Sequence, residues 1–189
     1  MGKKVFAHAN GAESIKLAVK AGVASIEHGC LLDADGIQPL KDKGVYLVAD
    51  IYDDEYIMAE YAKKGFPEKI MNKERMLGQI QRENFQKAVT AGVKITFGTD
   101  TGDYPHSWKR KQFYYMVKFG LTPMQAIQSA TINAVDLLDW KDRTGSISKG
   151  KIADIIAVEG NPLYDITILE HVKFVMKDRK IYKNEIHEK

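Results

Sequence analysis

The sequence lacks three features that would place a chain of this size in a familiar class. It has a single cysteine, Cys30, which excludes an internal framework of disulfide bonds. No apolar run approaches the ~20 residues that a membrane-spanning helix needs. There is no long basic run and no alternation of basic and aromatic residues, and the net charge is only +3. We therefore expect neither a membrane nor a nucleic acid as a partner.

Signatures of phosphate binding are missing as well. No G-x-G-x-x-G follows a predicted strand, and no Gly-rich loop ends on a lysine. What is present is ordinary for a globular protein, with 44% apolar and 28% charged residues. A chain of 189 residues is long enough for one domain with a real core, or for one and a half small ones.

Three apolar runs each end on a residue type that binds metal ions. These residues are His8, His28 and Asp100. The segments before His28 and before Asp100 read alike, as a helix, a glycine stop and a buried strand. Active sites lie at the C-terminal ends of parallel strands in barrels and open sheets, so the three side chains are expected to meet. Two imidazoles and one carboxylate favour Zn²⁺ or Mn²⁺.

Hydrophobic patterning predicts four β/α units followed by a β tail. The predicted strands cover residues 3–7, 24–27, 45–49 and 94–97, then 152–158, 172–176 and 180–182 of the tail. Helices are predicted after each of the first three strands, including one over 53–64 and a long one over 68–91, and two more after residue 108.

Capping residues mark several of the predicted helix ends. Asn10, Asp33 and Thr122 are expected to be N-caps, with Pro123 at the first position of the last helix. Glycines that follow the apolar pattern, such as Gly22 and Gly44, are expected to end helices.

Several short motifs occur in a fixed order along the chain. They are Val5-Phe6-Ala7-His8, Ile26-Glu27-His28-Gly29, Gly98-Thr99-Asp100, Leu121-Thr122-Pro123 and Gly145-Ser146-Ile147-Ser148-Lys149-Gly150. In this order they resemble the amidohydrolase superfamily, and in particular its imidazolonepropionase-like and prolidase-like branch. The resemblance covers nearly the whole chain.

The resemblance implies an α/β fold, namely part of a (β/α)8 TIM barrel followed by a small β unit. The four β/α units would match the family's strands five to eight, so that residues 1–140 form part of a hydrolase barrel. Residues 141–189 would belong to a composite β-sandwich. The implied activity is metal-dependent hydrolysis of C–N bonds in a small-molecule amide, cyclic amide or dipeptide. The implied cofactor is a divalent metal, with zinc favoured, one or two per complete enzyme.

The same resemblance assigns site residues. His8, His28 and Asp100 match the metal ligands of the fifth, sixth and eighth family strands. Asp100 would also be catalytic, accepting a proton from the attacking water and passing it to the leaving nitrogen. His106, in the loop after Asp100, would bind substrate, although a solvated loop residue is an equally good interpretation.

Two family features do not occur in the sequence, the His-x-His motif of the first strand and the lysine of the fourth. We therefore expect the chain to represent the C-terminal half of an amidohydrolase that is inactive alone. Half a barrel would have unpaired sheet edges and an exposed apolar face. It is expected to form a homo-oligomer, to associate with its missing half, or to aggregate.

Each candidate also has a purely structural interpretation. A histidine at a strand end is more often a hydrogen-bonded structural group, and Asp100 could simply cap a turn. Cys30 is expected to be a buried thiol rather than a metal ligand. The acidic residues Asp50, Asp53 and Asp54 follow the third strand and are not expected to be catalytic. The alternative function is a catalytically incomplete fragment or scaffold.

Overall fold

The structure, a computed structural model, describes residues 2–102 and 104–186. These residues form a mixed α/β fold with one parallel and one antiparallel sheet. The strands are β1 (Phe6–Ala9), β2 (Ser25–His28), β3 (Tyr46–Val48), β4 (Lys94–Ile95), β5 (Ile155–Ala157), β6 (Phe174–Lys177) and β7 (Lys180–Asn184). The α-helices are α1 (Ala12–Ala21), α2 (Ala34–Lys43), α3 (Asp53–Lys63), α4 (Glu68–Ala91), α5 (Gln112–Lys118), α6 (Pro123–Ser129) and α7 (Ile132–Leu137). Two 3₁₀ helices cover His106–Lys111 and Ile166–Glu170.

The first four strands form the parallel sheet in the order β1-β2-β3-β4. Their register sets Phe6 beside Ser25 and His8 beside Glu27, and then Glu27 beside Val48. Because side chains alternate along a strand, these residues share one face of the sheet.

The opposite face of the parallel sheet carries the hydrophobic core. Ile26 and Leu47 on that face are buried and belong to one cluster with Ile15, Leu40 and Phe85 from helices α1, α2 and α4. The face that bears Phe6 instead borders open clefts, and Phe6 itself is 72% exposed. The core helices α1, α2 and α4 thus cover one side of the sheet, whereas residues 45–49 were expected to be covered on both sides. On the other side α7 borders one of the clefts through Ala134 and Leu137.

Most of the predicted helix ends are confirmed. The Asp33 side chain accepts a hydrogen bond from Gly36 N at 2.7 Å and caps α2, and Thr122 forms a complete capping box with Gln125. Gly22 and Gly44 end α1 and α2 in the left-handed conformation. Helix α4 spans the predicted 68–91.

Two expectations about helices are wrong. The N-cap of α1 is Gly11 rather than Asn10, whose side chain lies beside His8 instead. The region after residue 108 holds three short α-helices, because the chain turns at Ala130–Thr131 and splits the predicted last helix into α6 and α7.

The tail forms a small antiparallel sheet in the order β5-β6-β7. Its strands fall in the three predicted segments, although β5 is shorter than expected. The 3₁₀ helix Ile166–Glu170 lies between β5 and β6 and buries Ile166 and Leu169. No helix within residues 2–102 and 104–186 is long and apolar enough to cross a bilayer.

Candidate metal centre

The predicted metal ligands His8, His28 and Asp100 all line one cleft of about 300 Å³ at the C-terminal ends of the parallel strands. The other residues that line it are Phe6, Glu27, Val48, Asp50, Gly98 and Thr99. The parallel strands thus bring His8 and Asp100, which are 92 positions apart in the sequence, to a common rim. The three predicted residues thus line the same cleft, while their role as metal ligands stays a prediction.

His8 and His28 are in direct contact. Their ring centroids lie 4.4 Å apart in an edge-to-face arrangement, with His8 at the end of β1 and His28 at the end of β2. Asn10 Nδ2 lies 3.4 Å from His8 Nε2. Two imidazoles therefore face the cleft side by side, as a pair of nitrogen ligands would.

The buried carboxylate of Asp50 orients the His28 ring. His28 Nδ1 lies 3.0 Å from Asp50 Oδ2, and Asp50 is 8% exposed. Gln81 Nε2, on α4, donates to the other oxygen, Asp50 Oδ1, at 3.1 Å. The hydrogen bond to Asp50 raises the pKa of His28, and the Asp50 and Asp100 charges act in the same direction. With Nδ1 engaged by Asp50, Nε2 is the nitrogen that His28 can offer to a cation.

Asp100 lies in the segment that follows β4, close to His28 and Asp50. One ligand atom from each of His28, Asp50 and Asp100 lies within 4.8 Å of the other two. Asp100 is exposed, whereas Asp50 is buried, so the cleft combines an accessible carboxylate with a shielded one. His28 and Asp100 both have left-handed backbone conformations, with φ of 68° and 39°.

Two glycines allow the strand ends to approach closely at this cleft. Gly29 follows His28 with φ of 64°, and a Cβ there would lie 2.7 Å from Leu47 Cδ1. A Cβ at Gly98 would overlap the Val48 side chain. Larger residues at either position would push apart the strands that carry His28 and Asp100.

Sequence reasoning missed two acidic groups of the cleft. Asp50 was grouped with Asp53 and Asp54 after the third strand and given no role in the site, because nothing in the local sequence shows that it contacts a histidine 22 residues earlier. Glu27 shares its face with His8, and its Oε1 accepts a hydrogen bond from Ser25 Oγ at 2.7 Å. Burial raises the pKa of Glu27. Because side chains alternate along a strand, Ser25 and Glu27 lie on the same face, and this pattern could have identified Glu27 from the sequence.

Other residues singled out from the sequence lie away from the cleft. His106 begins an exposed 3₁₀ helix and is not among the residues that line the cleft. Cys30 is half-buried, and burial raises the pKa of its thiol to about 12. A thiol with so high a pKa is poorly suited to bind a metal as thiolate.

The donor set fits a divalent cation of the zinc or manganese type. Imidazole nitrogens from His8 and His28 and a carboxylate from Asp100 are the ligand types that such ions accept. The ligand atoms that lie within 4.8 Å of one another are those of His28, Asp50 and Asp100, and His8 contacts this group through the ring of His28. Both Asp50 oxygens already have hydrogen-bond partners. Asp50 therefore fits the part of a carboxylate that orients a histidine ligand better than that of a direct ligand.

Comparison with known proteins agrees with this geometry. A sequence profile of the Amidohydrolase family matches residues 1–184. The chain belongs to the amidohydrolase family. The ochratoxinase of Aspergillus niger, a curated relative, is 34% identical to this amidohydrolase chain over 183 residues. The imidazolonepropionase of Fusobacterium nucleatum subsp. nucleatum is 27% identical over 195 residues.

Solved structures of other amidohydrolases superpose closely. A Xaa-Pro dipeptidase with methionine bound in its active site is 45% identical, with a TM-score of 0.89 over 97% of this chain. The ochratoxinase structure of A. niger is 33% identical, with a TM-score of 0.84 over 96% of this chain. These matches confirm the imidazolonepropionase-like and prolidase-like branch.

The matches cover only part of the related proteins. This amidohydrolase chain is matched over 95% of its length by the Aspergillus ochratoxinase, of which it spans 38%. It spans 41% of the Fusobacterium imidazolonepropionase and 45% of the Xaa-Pro dipeptidase chain. The chain thus corresponds to less than half the length of these relatives.

Proposed function

We propose that this chain supplies one half of a metal-dependent hydrolase site that cleaves C–N bonds in small molecules. The observation that carries the proposal is the convergence of His8, His28 and Asp100 on one cleft at the strand ends. Family membership supports a hydrolase. The names of the relatives, a Xaa-Pro dipeptidase and an imidazolonepropionase, favour a dipeptide, an amide or a cyclic amide as substrate.

The fold supports a finer assignment. We infer that β1 to β4 correspond to strands five to eight of a (β/α)8 barrel, and that residues 1–140 form that part of the barrel. The parallel order β1-β2-β3-β4, with the core helices α1, α2 and α4 on one face and open clefts on the other, is what half of such a barrel would have. Residues 141–189 would supply strands to a composite β-sandwich, which the separate antiparallel sheet supports.

The chain's own residues would have different roles in the reaction. A divalent cation, zinc by preference, would supply Lewis-acid chemistry when bound, one or two ions per complete enzyme. His8 and His28 would present ring nitrogens to it, with the His28 ring held by Asp50. The Asp100 carboxylate would take a proton from water and deliver it to the leaving nitrogen. His106, which does not line the cleft, is proposed to contact a substrate that extends beyond it.

A second candidate function is a scaffold that cannot turn over substrate. The open face beside Phe6 favours it. In that case the chain would associate with itself or with a separate N-terminal half, and any bound ion would be structural.

Metal analysis tests the main proposal. After loading with Zn²⁺ and dialysis, the chain is expected to retain about one equivalent of zinc, the minimum for a site of this kind. His28→Asn should abolish retention, because Asn tolerates the left-handed backbone but supplies no imidazole. His171→Asn, an exposed histidine of the tail, is the matched control and should keep the zinc.

The outcomes separate the candidates. No retained zinc in the wild-type chain contradicts the metal site. Zinc that the wild-type chain retains and His28→Asn loses supports the hydrolase half-site, whereas zinc that His28→Asn still retains is bound elsewhere and favours the scaffold.

A further inference from the structure

The two segments that carry Asp50 and Asp100 leave the sheet without pairing to each other. Strand β3 pairs with β4 only at Tyr46 and Leu47. Among the described residues, their backbone pairing ends with the hydrogen bond from Thr96 N to Leu47 O at 3.1 Å. Asp50 and Asp100 both lie beyond that point, so another group must fix the distance between the strand ends.

A single buried side chain joins these ends. Gln112, the first residue of α5, is 0% exposed. Its Nε2 donates to Ala49 O at 2.6 Å and to Gly98 O at 3.0 Å. Its Oε1 accepts a hydrogen bond from Tyr52 N at 2.9 Å. Ala49 and Tyr52 lie on either side of the segment that holds Asp50, and Gly98 is two residues before Asp100.

The chemistry of this link requires an amide. The Ala49 and Gly98 carbonyls are both acceptors and cannot bond to each other, whereas an NH₂ group carries two donors and can serve both. The same side chain must also accept from Tyr52. Glutamate has no donor at neutral pH and lysine has no acceptor, so neither could make all three bonds.

We propose that Gln112 is a positioning residue that sets the separation of the β3 and β4 ends and so places Asp50 and Asp100 around the cleft. The inference rests on the proposed function only in taking this cleft as the metal site. Through Asp50 the same link reaches His28, whose Nδ1 lies 3.0 Å from the Asp50 carboxylate. Gln112 itself does not line the cleft.

A matched pair of variants separates positioning from mere stability. Gln112→Met keeps a similar shape but loses the three hydrogen bonds. Asn133→Leu is the control, because Asn133 Nδ2 donates at 2.9 Å to Ile95 O, the carbonyl of the last residue of β4, three residues before Gly98. Gln112→Asn keeps the amide but shortens its reach, and it serves if the methionine variant does not fold.

Two readouts are needed, zinc affinity by competition with a chelator and the NMR signals of the His28 ring in the metal-free chain. We expect Gln112→Met to weaken zinc binding by about tenfold or more, as loss of a group that orients metal ligands does. It should also shift the His28 ring signals. Asn133→Leu should leave both readouts near wild type, even if it lowers the melting temperature as much as Gln112→Met does.

The possible results are distinct. Unchanged His28 signals in Gln112→Met, or equal changes in Asn133→Leu, would overturn the positioning role. If the wild-type chain binds no zinc but the His28 signals respond to Gln112→Met alone, the proposed function fails and the positioning role stands.

Discussion

At the scale of single residues, the candidate ligands occupy unusual backbone conformations. His28 and Asp100 have φ of 68° and 39°. A left-handed conformation costs an L-residue roughly 1–2 kcal/mol, although Asp and Asn tolerate it best. Strain of this kind clusters at functional sites. The conformations of His28 and Asp100 are therefore consistent with a site whose geometry matters more than local stability.

Asp100→Asn should separate function from stability. Asparagine tolerates the same backbone, so the free energy of unfolding should change by less than about 0.5 kcal/mol, as for most surface substitutions. Loss of the carboxylate should lower zinc retention and, in an active enzyme, reduce turnover by roughly 10²-fold or more. Urea unfolding and metal analysis check both parts.

Asp100→Val provides the contrast. A β-branched residue is poorly tolerated at positive φ, so this variant should be destabilised by about 1–2 kcal/mol. Equal stability of the Asn and Val variants would argue that the backbone at Asp100 is not strained.

Sequence alone located some of the site residues and not others. His8, His28 and Asp100 could be found because each ends an apolar run, and parallel strands end at a common edge. Asp50 and Gln112 could not, because their contacts join residues 22, 60 and 63 positions apart. Such contacts depend on where neighbouring strands stop, and no local pattern records that.

At the scale of elements, helix ends were the most predictable feature. Gly22, Gly44 and Gly92 all adopt the left-handed C-cap conformation expected of glycine after an apolar helix. Asn10 was predicted wrongly as a cap because both Asn and Gly suit that position, and the chain places Gly11 there. Local chemistry thus fixed where helices stop more reliably than where they start.

The packing of α3 on α4 depends on a buried carboxyl. Asp54 and Arg82 approach within 3.4 Å, each with a side chain that is 17% exposed. A Cβ at Gly78 of α4 would overlap the Asp54 carboxylate, which explains a glycine inside that helix. Burial raises the pKa of Asp54 to about 6, despite the opposing charge of Arg82 and with a further increase from Asp50, Glu74 and Glu55.

This pKa predicts a dependence of stability on pH. The folded value, about 6, lies above the ordinary 3.8, so folding favours the protonated carboxyl. The contribution to stability is full below the ordinary pKa and is lost as pH rises through about 6. Asp54→Asn should therefore flatten the fall in unfolding free energy between those two values.

Denaturant titrations across this pH range would measure the effect. Asp35→Asn, at an exposed position in the first turn of α2, should leave the wild-type profile unchanged. A profile of Asp54→Asn that overlays the wild type would show that Asp54 titrates as an ordinary surface acid.

At the scale of the whole molecule, the parallel sheet is covered unevenly. Helices bury one face, and the other borders an apolar cleft of about 450 Å³ that includes Val5, Phe6, Phe97 and Leu138. Val5 is 60% exposed and Phe6 is 72% exposed, and they lie just before and at the start of the edge strand β1. Exposed strand edges and apolar patches promote association.

We predict that the chain associates in solution through this face. Sedimentation velocity over a wide range of concentration should show species larger than a monomer. Phe6→Thr should reduce them, since it removes the most exposed aromatic ring of β1 while keeping a residue suited to a strand. Ile147→Thr, at a position that is 83% exposed in the tail, is the control and should have no effect. A monomer at every concentration would contradict the prediction.

The overall arrangement was predictable only in part. Apolar runs indicated a mixed α/β fold with parallel strands, which the structure confirms. Continuous apolar sequence over 45–49 suggested cover on both faces, but Val48 borders the clefts. A run of apolar residues indicates that both faces of the strand are shielded from water. It does not indicate which element or partner shields them.

The half-buried thiol of Cys30 has a practical consequence. With a pKa of about 12, almost none of it is ionised at neutral pH, and maleimides react with the ionised form. A second cysteine introduced on the exposed side of α3 would accept a fluorescent dye selectively. The native thiol could then stay in place while the chain carries a dye at one chosen position.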